Sequence, residues 1–308
     1  MWAIVLLLLL GLFLLSRFSD LCVRSVEKFA GIIGISHMAI GFVVVGITTS
    51  LPELAVAITS ALKGEGALGV GTLIGANIAD MTVVIGAVAL FTVFRIVKKD
   101  AKEIYNAIAI TSVIAVFAIF LPRIDAYFGM FCLILFWLSI ATIMKKGIPV
   151  ARRNKNIMLP TAEVMKAILI VAVSITLVVI SAQIVVNAAI EISKIFGLAE
   201  TLIGAGIIAF GTTLPELTVS IAAVRRGNYS LAIGNSIGSL VTNLALILGL
   251  SSILSVTLLT GLEHAAFSML LVANVLFLIL SMRMKFDRIA GIILLAGHAL
   301  MLIILFSI

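Results

Sequence analysis

Apolar runs about twenty residues long, separated by short clusters of charge, recur from one end of this 308-residue sequence to the other. A helix needs about 20 such residues to cross the hydrocarbon core of a bilayer. The runs fall at 2–25, 38–62, 68–94, 104–121, 124–144, 164–190, 198–224, 230–258, 264–282 and 289–308. Only 11% of the residues are charged, against about 25% in a soluble domain. So few charges do not clothe a water-facing surface, and lipid is the expected solvent. The expected fold is an all-α polytopic membrane protein of ten transmembrane helices. No basic residue precedes the first run and no small-residue cleavage site follows it, so it is read as a retained helix and not as a leader.

The placement of charge orients these spans. Alternate loops fall on opposite faces of the membrane. One face receives Arg95, Lys98, Lys99 and Lys102, then Lys145, Lys146, Arg152, Arg153 and Lys155, and finally Arg225, Arg226, Arg283, Lys285 and Arg288. The other receives only Lys63, Arg123 and Lys194. The basic face is expected in the cytoplasm, which puts both termini outside a cell membrane. The net charge of +7 is thereby assigned to membrane loops, and no nucleic-acid partner is expected. Cys22 and Cys132 show no disulfide or metal-thiolate spacing.

The longest polar interval, 145–163, separates two sets of five spans, 1–144 and 164–308. The two sets share a phrase. Gly46-Ile47-Thr48-Thr49-Ser50-Leu51-Pro52-Glu53-Leu54 in the first matches Ala209-Phe210-Gly211-Thr212-Thr213-Leu214-Pro215-Glu216-Leu217 in the second, 163 residues later. The register continues without a gap through Gly64 and Gly227, Gly71 and Gly234, and Gly75 and Gly238, to Asp80 and Asn243. Because each set has an odd number of spans, the second copy enters the membrane from the opposite side. Two inverted five-helix repeats are the construction of secondary transporters, whose sites lie near the midplane where the repeats meet.

The repeated phrase carries unusual chemistry for such a depth. Glu53 and Glu216 fall mid-span, where a charged side chain costs at least about 2.5 kcal/mol. Pro52 and Pro215 each lack an N–H, so the carbonyls of Thr48 and Gly211 lose their helical partners and become free oxygen ligands. Thr49 and Thr212 precede the glutamates by four residues, a spacing that puts hydroxyl and carboxylate on one helical face. Asp80 and Asn243 lie mid-span on the following helices, with Ala76 and Ser239 one turn earlier. Gly71 and Gly75, and Gly234 and Gly238, form small-residue patterns that permit close helix approach. Carboxylate, amide, hydroxyl and carbonyl oxygens without histidine or thiolate suit calcium, sodium, magnesium or manganese, and not zinc or copper. His37, His264 and His298 are assigned no chemistry. No H-E-x-x-H occurs, and the G-x-S-x-G string at residues 234–238 lies inside a span, away from the strand–turn–helix setting of a nucleophile. No enzyme is expected.

At these residues the sequence resembles the calcium/cation antiporter superfamily, whose hallmark is an inverted pair of G-T-S-L-P-E motifs. Gly211 to Glu216 reads G-T-T-L-P-E and Thr48 to Glu53 reads T-T-S-L-P-E. The resemblance implies calcium as the transported substrate and sodium or protons as counter-ion, with no cofactor and no obligatory protein partner. It implies that Glu53 and Glu216 chelate calcium with help from Thr49 and Thr212. Ala209, Thr212, Thr213, Ser239 and Glu216 would form one monovalent site, with Gly46, Thr49, Ser50 and Glu53 as its mirror and Asp80 and Asn243 between. It also implies that the first and sixth spans slide to alternate access. Three departures stand out: Ala76 replaces a usual serine, Thr48 a glycine and Thr72 an asparagine. The acid–amide pair is also reversed between the repeats. A burial-raised carboxyl pKa lets protons replace a departing cation, so the departures lean towards proton coupling. Exchange of magnesium or manganese, or a cation channel, are the alternatives.

Overall fold

The computed structural model describes residues 2–32, 49–96, 98–144, 161–225, 227 and 229–308. Helix α1 (Trp2–Ile32) is followed by α2 (Leu51–Leu62) and by α3 (Gly66–Ala79), which runs through a π-turn at Asp80–Val84 into α4 (Ile85–Phe91). Then come β1 (Phe94–Arg95), α5 (Lys98–Ile119), β2 (Arg123–Ile124) and α6 (Ala126–Met144). The second half opens with α7 (Thr161–Phe196), then α8 (Glu200–Ile203), a π-turn at Gly204–Ile208, α9 (Ala209–Thr212) and α10 (Leu214–Arg225). It closes with α11 (Tyr229–Val241), a π-turn at Thr242–Ile247, α12 (Leu248–Leu254), β3 (Thr257–Leu258), α13 (Gly261–Met282), β4 (Lys285–Phe286) and α14 (Arg288–Ser307).

Among the described residues, seven helical segments are long and apolar enough to cross a membrane, and three shorter apolar helices, Trp2–Phe18, Leu51–Leu62 and Ala126–Ala141, fall on other predicted spans. Residues 145–160 of the expected polar interval 145–163 and the second span before residue 49 lie outside the described residues, as do Gly46, Thr48 and His37. Large apolar side chains face outward, as suits a chain whose solvent is hydrocarbon: Trp137 is 70% exposed and Phe120 81%.

The eighth predicted span is too long and the third slightly so. Helix α12 ends at Leu254 because Thr257 and Leu258 leave the helix to pair antiparallel with Ile124 and Arg123. Phe94 likewise pairs with Phe286, and its ring stacks on the rings of Phe286 and Tyr229. Four two-residue strands therefore qualify the all-α expectation. Local signals set the other boundaries. Thr260 and Glu263 form a reciprocal capping box at α13. Asp287 caps α14 by accepting from the Ala290 N–H, and that bond, with Arg283 and Lys285 nearby, holds its carboxyl below the usual range. Gly64 and Gly227 close the turns after α2 and α10 at φ 76° and 74°, in the left-handed region that glycine enters freely.

Packing divides the buried apolar side chains into two clusters. The larger is built on α3 to α6 and α11 to α14. The smaller joins α1 to α7 through Leu8, Leu12, Leu15, Val178, Val185 and Val186, and touches the rest at Val56, Leu68, Ile203 and Ile208. Helix α3 crosses the π-turn at Gly204–Ile208 with almost no side-chain layer between. A Cβ on Gly71 would lie 2.4 Å from the Thr201 carbonyl oxygen, one on Gly75 2.3 Å from that of Ala205, and one on Gly204 2.4 Å from that of Leu68. Gly71 and Gly75 permit the close approach predicted for them, whereas a Cβ on Gly234 would meet nothing within 4 Å. Asn77 Nδ2 donates to the Leu240 carbonyl at 3.0 Å and Asn274 Nδ2 to Thr111 Oγ1 at 3.1 Å, both between residues 163 apart.

Candidate cation site

In the second copy of the repeated phrase the helix is interrupted, α9 ending at Thr212 and α10 beginning at Leu214. Proline removes the donor that would continue the ladder, and the chain bends at Ser50 (φ −82°, ψ 13°) before α2 and at Thr213 (φ −79°, ψ −4°) before α10. Bonding resumes one residue later, with Leu54 N donating to the Ser50 carbonyl at 2.9 Å and Leu217 N to that of Thr213 at 3.1 Å. Pro52 is buried and Pro215 half-buried. Both breaks sit in the interior beside α3 and α11.

Thr49, Ser50, Glu53, Asp80, Thr212, Thr213, Glu216, Ser239 and Asn243 are all 5% exposed or less. Glu53 and Asp80 sense each other's charge, and Glu216 senses both. Glu53, Asp80 and Glu216 are therefore gathered from both halves into one buried region. The bend alters the predicted pairing. Thr49 does not share a helical face with Glu53, because the helix breaks between them. Instead its hydroxyl approaches the Glu216 carboxylate and the Thr212 hydroxyl approaches that of Glu53. Each glutamate is thus attended by the threonine of the opposite half.

Oxygen atoms left without partners mark the chemistry. Ser50 Oγ, Glu53 Oε2, Asp80 Oδ1, Asn243 Oδ1 and both carboxylate oxygens of Glu216 are buried without a hydrogen bond of normal length. An unsatisfied buried polar atom costs about 1–3 kcal/mol, more when charged. Several in one place are tolerable where a positive ion visits. Among the described residues no group of three or more His, Cys, Asp or Glu side chains closes into a metal-holding cluster. A cation here would be held by fewer carboxylates together with neutral oxygens, the coordination of hard cations.

The two halves are not equivalent in detail. Thr49 Oγ1 lies 3.5 Å from Ser239 Oγ, which also donates to the Asn235 carbonyl at 3.1 Å. On the other side Ala76 stands at the position of Ser239 and offers Thr212 no such partner; the Thr212 hydroxyl donates to the Ala209 carbonyl at 3.2 Å. Thr213 Oγ1 and Thr213 N donate to that same carbonyl at 2.6 and 3.0 Å. The Ala209 oxygen, expected as a monovalent ligand, is therefore turned to its own helix in this conformation.

Three supporting contacts escaped the sequence reading. Asn235 Nδ2 donates to the Glu216 carbonyl and to Ser220 Oγ, each at 3.3 Å, and so ties α11 to the turn that carries Glu216. Thr72, its counterpart, donates only to Leu68 of its own helix at 2.8 Å. The departure at residue 72 therefore removes a tie that α2 would otherwise have. Thr82, inside the π-turn that begins at Asp80, donates to the Ile78 carbonyl at 2.5 Å and lies 2.9 Å from His298 Nδ1. The Glu263 carboxylate accepts from Thr201 and Thr260. An asparagine one turn before Ser239 was a usable signal for the first contact; the others join residues too distant in sequence to announce themselves.

A protein that buries bare carboxylate oxygens among helices whose outer faces meet only hydrocarbon is built around a cation, and membrane cation exchangers are the class that these features define. Over residues 3–145 and 166–307 the chain matches the sodium/calcium exchanger protein family, and it belongs to that family. It is 29% identical over 311 residues to the inner membrane protein YrbG of Escherichia coli, covering 97% of this chain and 96% of the relative. To the sodium/calcium exchanger MaX1 of Methanosarcina acetivorans it is 29% identical over 349 residues, covering 98% of each. Among solved structures it is similar to the sodium-calcium exchanger NCX_Mj soaked with 10 mM Na+ and zero Ca2+, with a TM-score of 0.68 and 26% identity over 96% of this chain and 97% of that one.

Proposed function

We propose that this protein is a secondary active antiporter of a cell membrane that exchanges Ca2+ for a monovalent cation by alternating access. Its frame is read as ten spans in two inverted repeats, 1–144 and 164–308, joined by a cytoplasmic linker at 145–163, with both termini outside. The single observation that carries the reading is the meeting of Glu53 and Glu216, one from each half and each attended by a threonine of the other, beside the unpartnered oxygens Glu53 Oε2, Asp80 Oδ1 and Asn243 Oδ1. Two carboxylates neutralise one divalent ion, and an empty doubly anionic site is expensive to carry through a low-dielectric interior. That expense couples the outward journey of Ca2+ to the return of protons or sodium ions.

Protons are the counter-ion this reading favours. Asp80 adds a third carboxylate, and Ala76 removes a hydroxyl from one monovalent position. Sodium is the second reading, and the name of the relative MaX1 favours it. Calcium-45 uptake into proteoliposomes under an imposed proton or sodium gradient separates the two. Uptake driven by the proton gradient alone is the expected result. Replacement of either glutamate, Glu53→Gln or Glu216→Gln, is expected to lower uptake by more than about tenfold, the equivalent of about 1.4 kcal/mol. Normal transport by both variants sinks the calcium assignment, and manganese and magnesium are then the ions to test.

A further inference from the structure

A lateral cleft of about 540 Å³ lies between α2, α7 and α12. One wall is a stripe along α2 at the spacing of a single helical face: Leu51, Leu54 and Ala55, Ile58 and Thr59, and then Leu62 and Lys63. The stripe runs the 12 residues of α2, about 18 Å at 1.5 Å per residue. The hydrocarbon core is roughly 30 Å thick, so the cleft is about as deep as one leaflet. Its deep end, at Leu51, Leu54, Val178 and Leu250, is wholly apolar and lies beside Pro52 and Glu53. Its other end is polar: Thr59, Gln183 and Lys63 line it, and Lys63 Nζ donates to Asn187 Oδ1 at 2.7 Å. The gradient from apolar floor to cationic rim runs along the helix and is that of an amphipathic molecule with an anionic head.

We infer that this cleft holds one acyl chain of an anionic phospholipid from the leaflet on the Lys63 side, with its phosphodiester on Lys63 and the amides of Gln183 and Asn187. Charge complementarity selects the occupant. Lys63 stands on the face that carries only two other predicted basic residues, and one of those, Arg123, pairs with Asp125 at 3.4 Å. The walls come from different packing units, α2 and α12 bordering the larger apolar cluster and α7 built into the smaller. A lipid chain here fills the seam between them. Binding stands on this geometry alone. Only an effect on exchange rests on the antiporter reading.

The test uses full-length protein carrying one tryptophan, introduced as Val179→Trp on the cleft wall with Trp2→Phe and Trp137→Phe. A reference protein keeps Trp137 alone, which faces bulk lipid. Each is reconstituted in vesicles doped with phosphatidylglycerol or phosphatidylcholine brominated on the acyl chain. Quenching at residue 179 is expected to favour phosphatidylglycerol about fivefold, the preference that one lysine gives an anionic lipid. Lys63→Gln is expected to abolish the preference, and Trp137 to show none. Equal quenching by both lipids at residue 179, or a preference that survives Lys63→Gln, overturns the assignment. So does unlabelled oleate relieving the quenching as well as unlabelled phosphatidylglycerol does, since the occupant is then a free fatty acid. Because no transport is measured, failure here leaves the antiporter reading untouched, and failed calcium uptake leaves this one standing.

Discussion

At one pair of equivalent positions a single hydroxyl separates the two sides of the cation site. Ser239 gives Thr49 a hydroxyl neighbour at 3.5 Å, and Ala76 at the equivalent position gives Thr212 none. Restoring the hydroxyl with Ala76→Ser is expected to raise sodium-driven calcium uptake relative to proton-driven uptake by roughly fivefold, since one added hydrogen-bonding ligand is worth about 1 kcal/mol. An unchanged ratio in the two-gradient assay would remove residue 76 from ion selection. The residues of the site were the most legible part of the sequence, because a glutamate after proline in the middle of an apolar run is conspicuous and here occurs twice. Their pairing was not legible. Helical spacing assigned each threonine to its own glutamate, and the proline bend, by ending the helix between them, assigns it to the other.

Among the elements, the crossing of α3 over the π-turn at Gly204–Ile208 fixes how near the halves approach. Gly75→Ala puts a methyl 2.3 Å from the Ala205 carbonyl oxygen. Backbone atoms cannot give way as a side chain end does, so a loss of about 1–3 kcal/mol is expected, within the range of overpacked cores. A lowered thermal midpoint in detergent, beside a smaller fall for Gly64→Ala, which meets no neighbouring atom and is strained only at its φ of 76°, would separate crowding from backbone strain; equal losses would deny the crossing its role. Helix existence was legible from hydropathy across the described residues. The π-turns at Asp80 and Thr242 were not, because nothing in composition marks an extra residue in a helical turn. The short strands were also missed. Phe94 and Leu258 read as span ends by hydropathy, while their pairing depends on partners more than 130 residues away.

At the scale of the molecule, two apolar clusters meet along a seam, with α1 and α7 on one side. If the antiporter alternates access by shifting that pair, a tether across the seam should stop it and a tether within the larger cluster should not. A short bismaleimide bridging Lys63→Cys and Asn187→Cys, whose native side chains touch at 2.7 Å, is expected to abolish calcium uptake. The same reagent across Arg95→Cys and Lys285→Cys, paired in one strand ladder, is expected to leave it nearly intact. Full activity of both tethered proteins would exclude relative motion of α7 and α2.

The strand pairs have one more consequence, in the order of synthesis. Phe94 and Arg95 emerge from the ribosome long before Phe286 and Lys285, and the amide of Asn77 precedes the Leu240 carbonyl it will hold. Until the last two spans are inserted, the first half therefore waits in the bilayer with its interior ties unmade. A nascent chain halted after residue 144 is expected to be recognised by membrane quality control and degraded, so the halves, however alike in sequence, mature together or not at all.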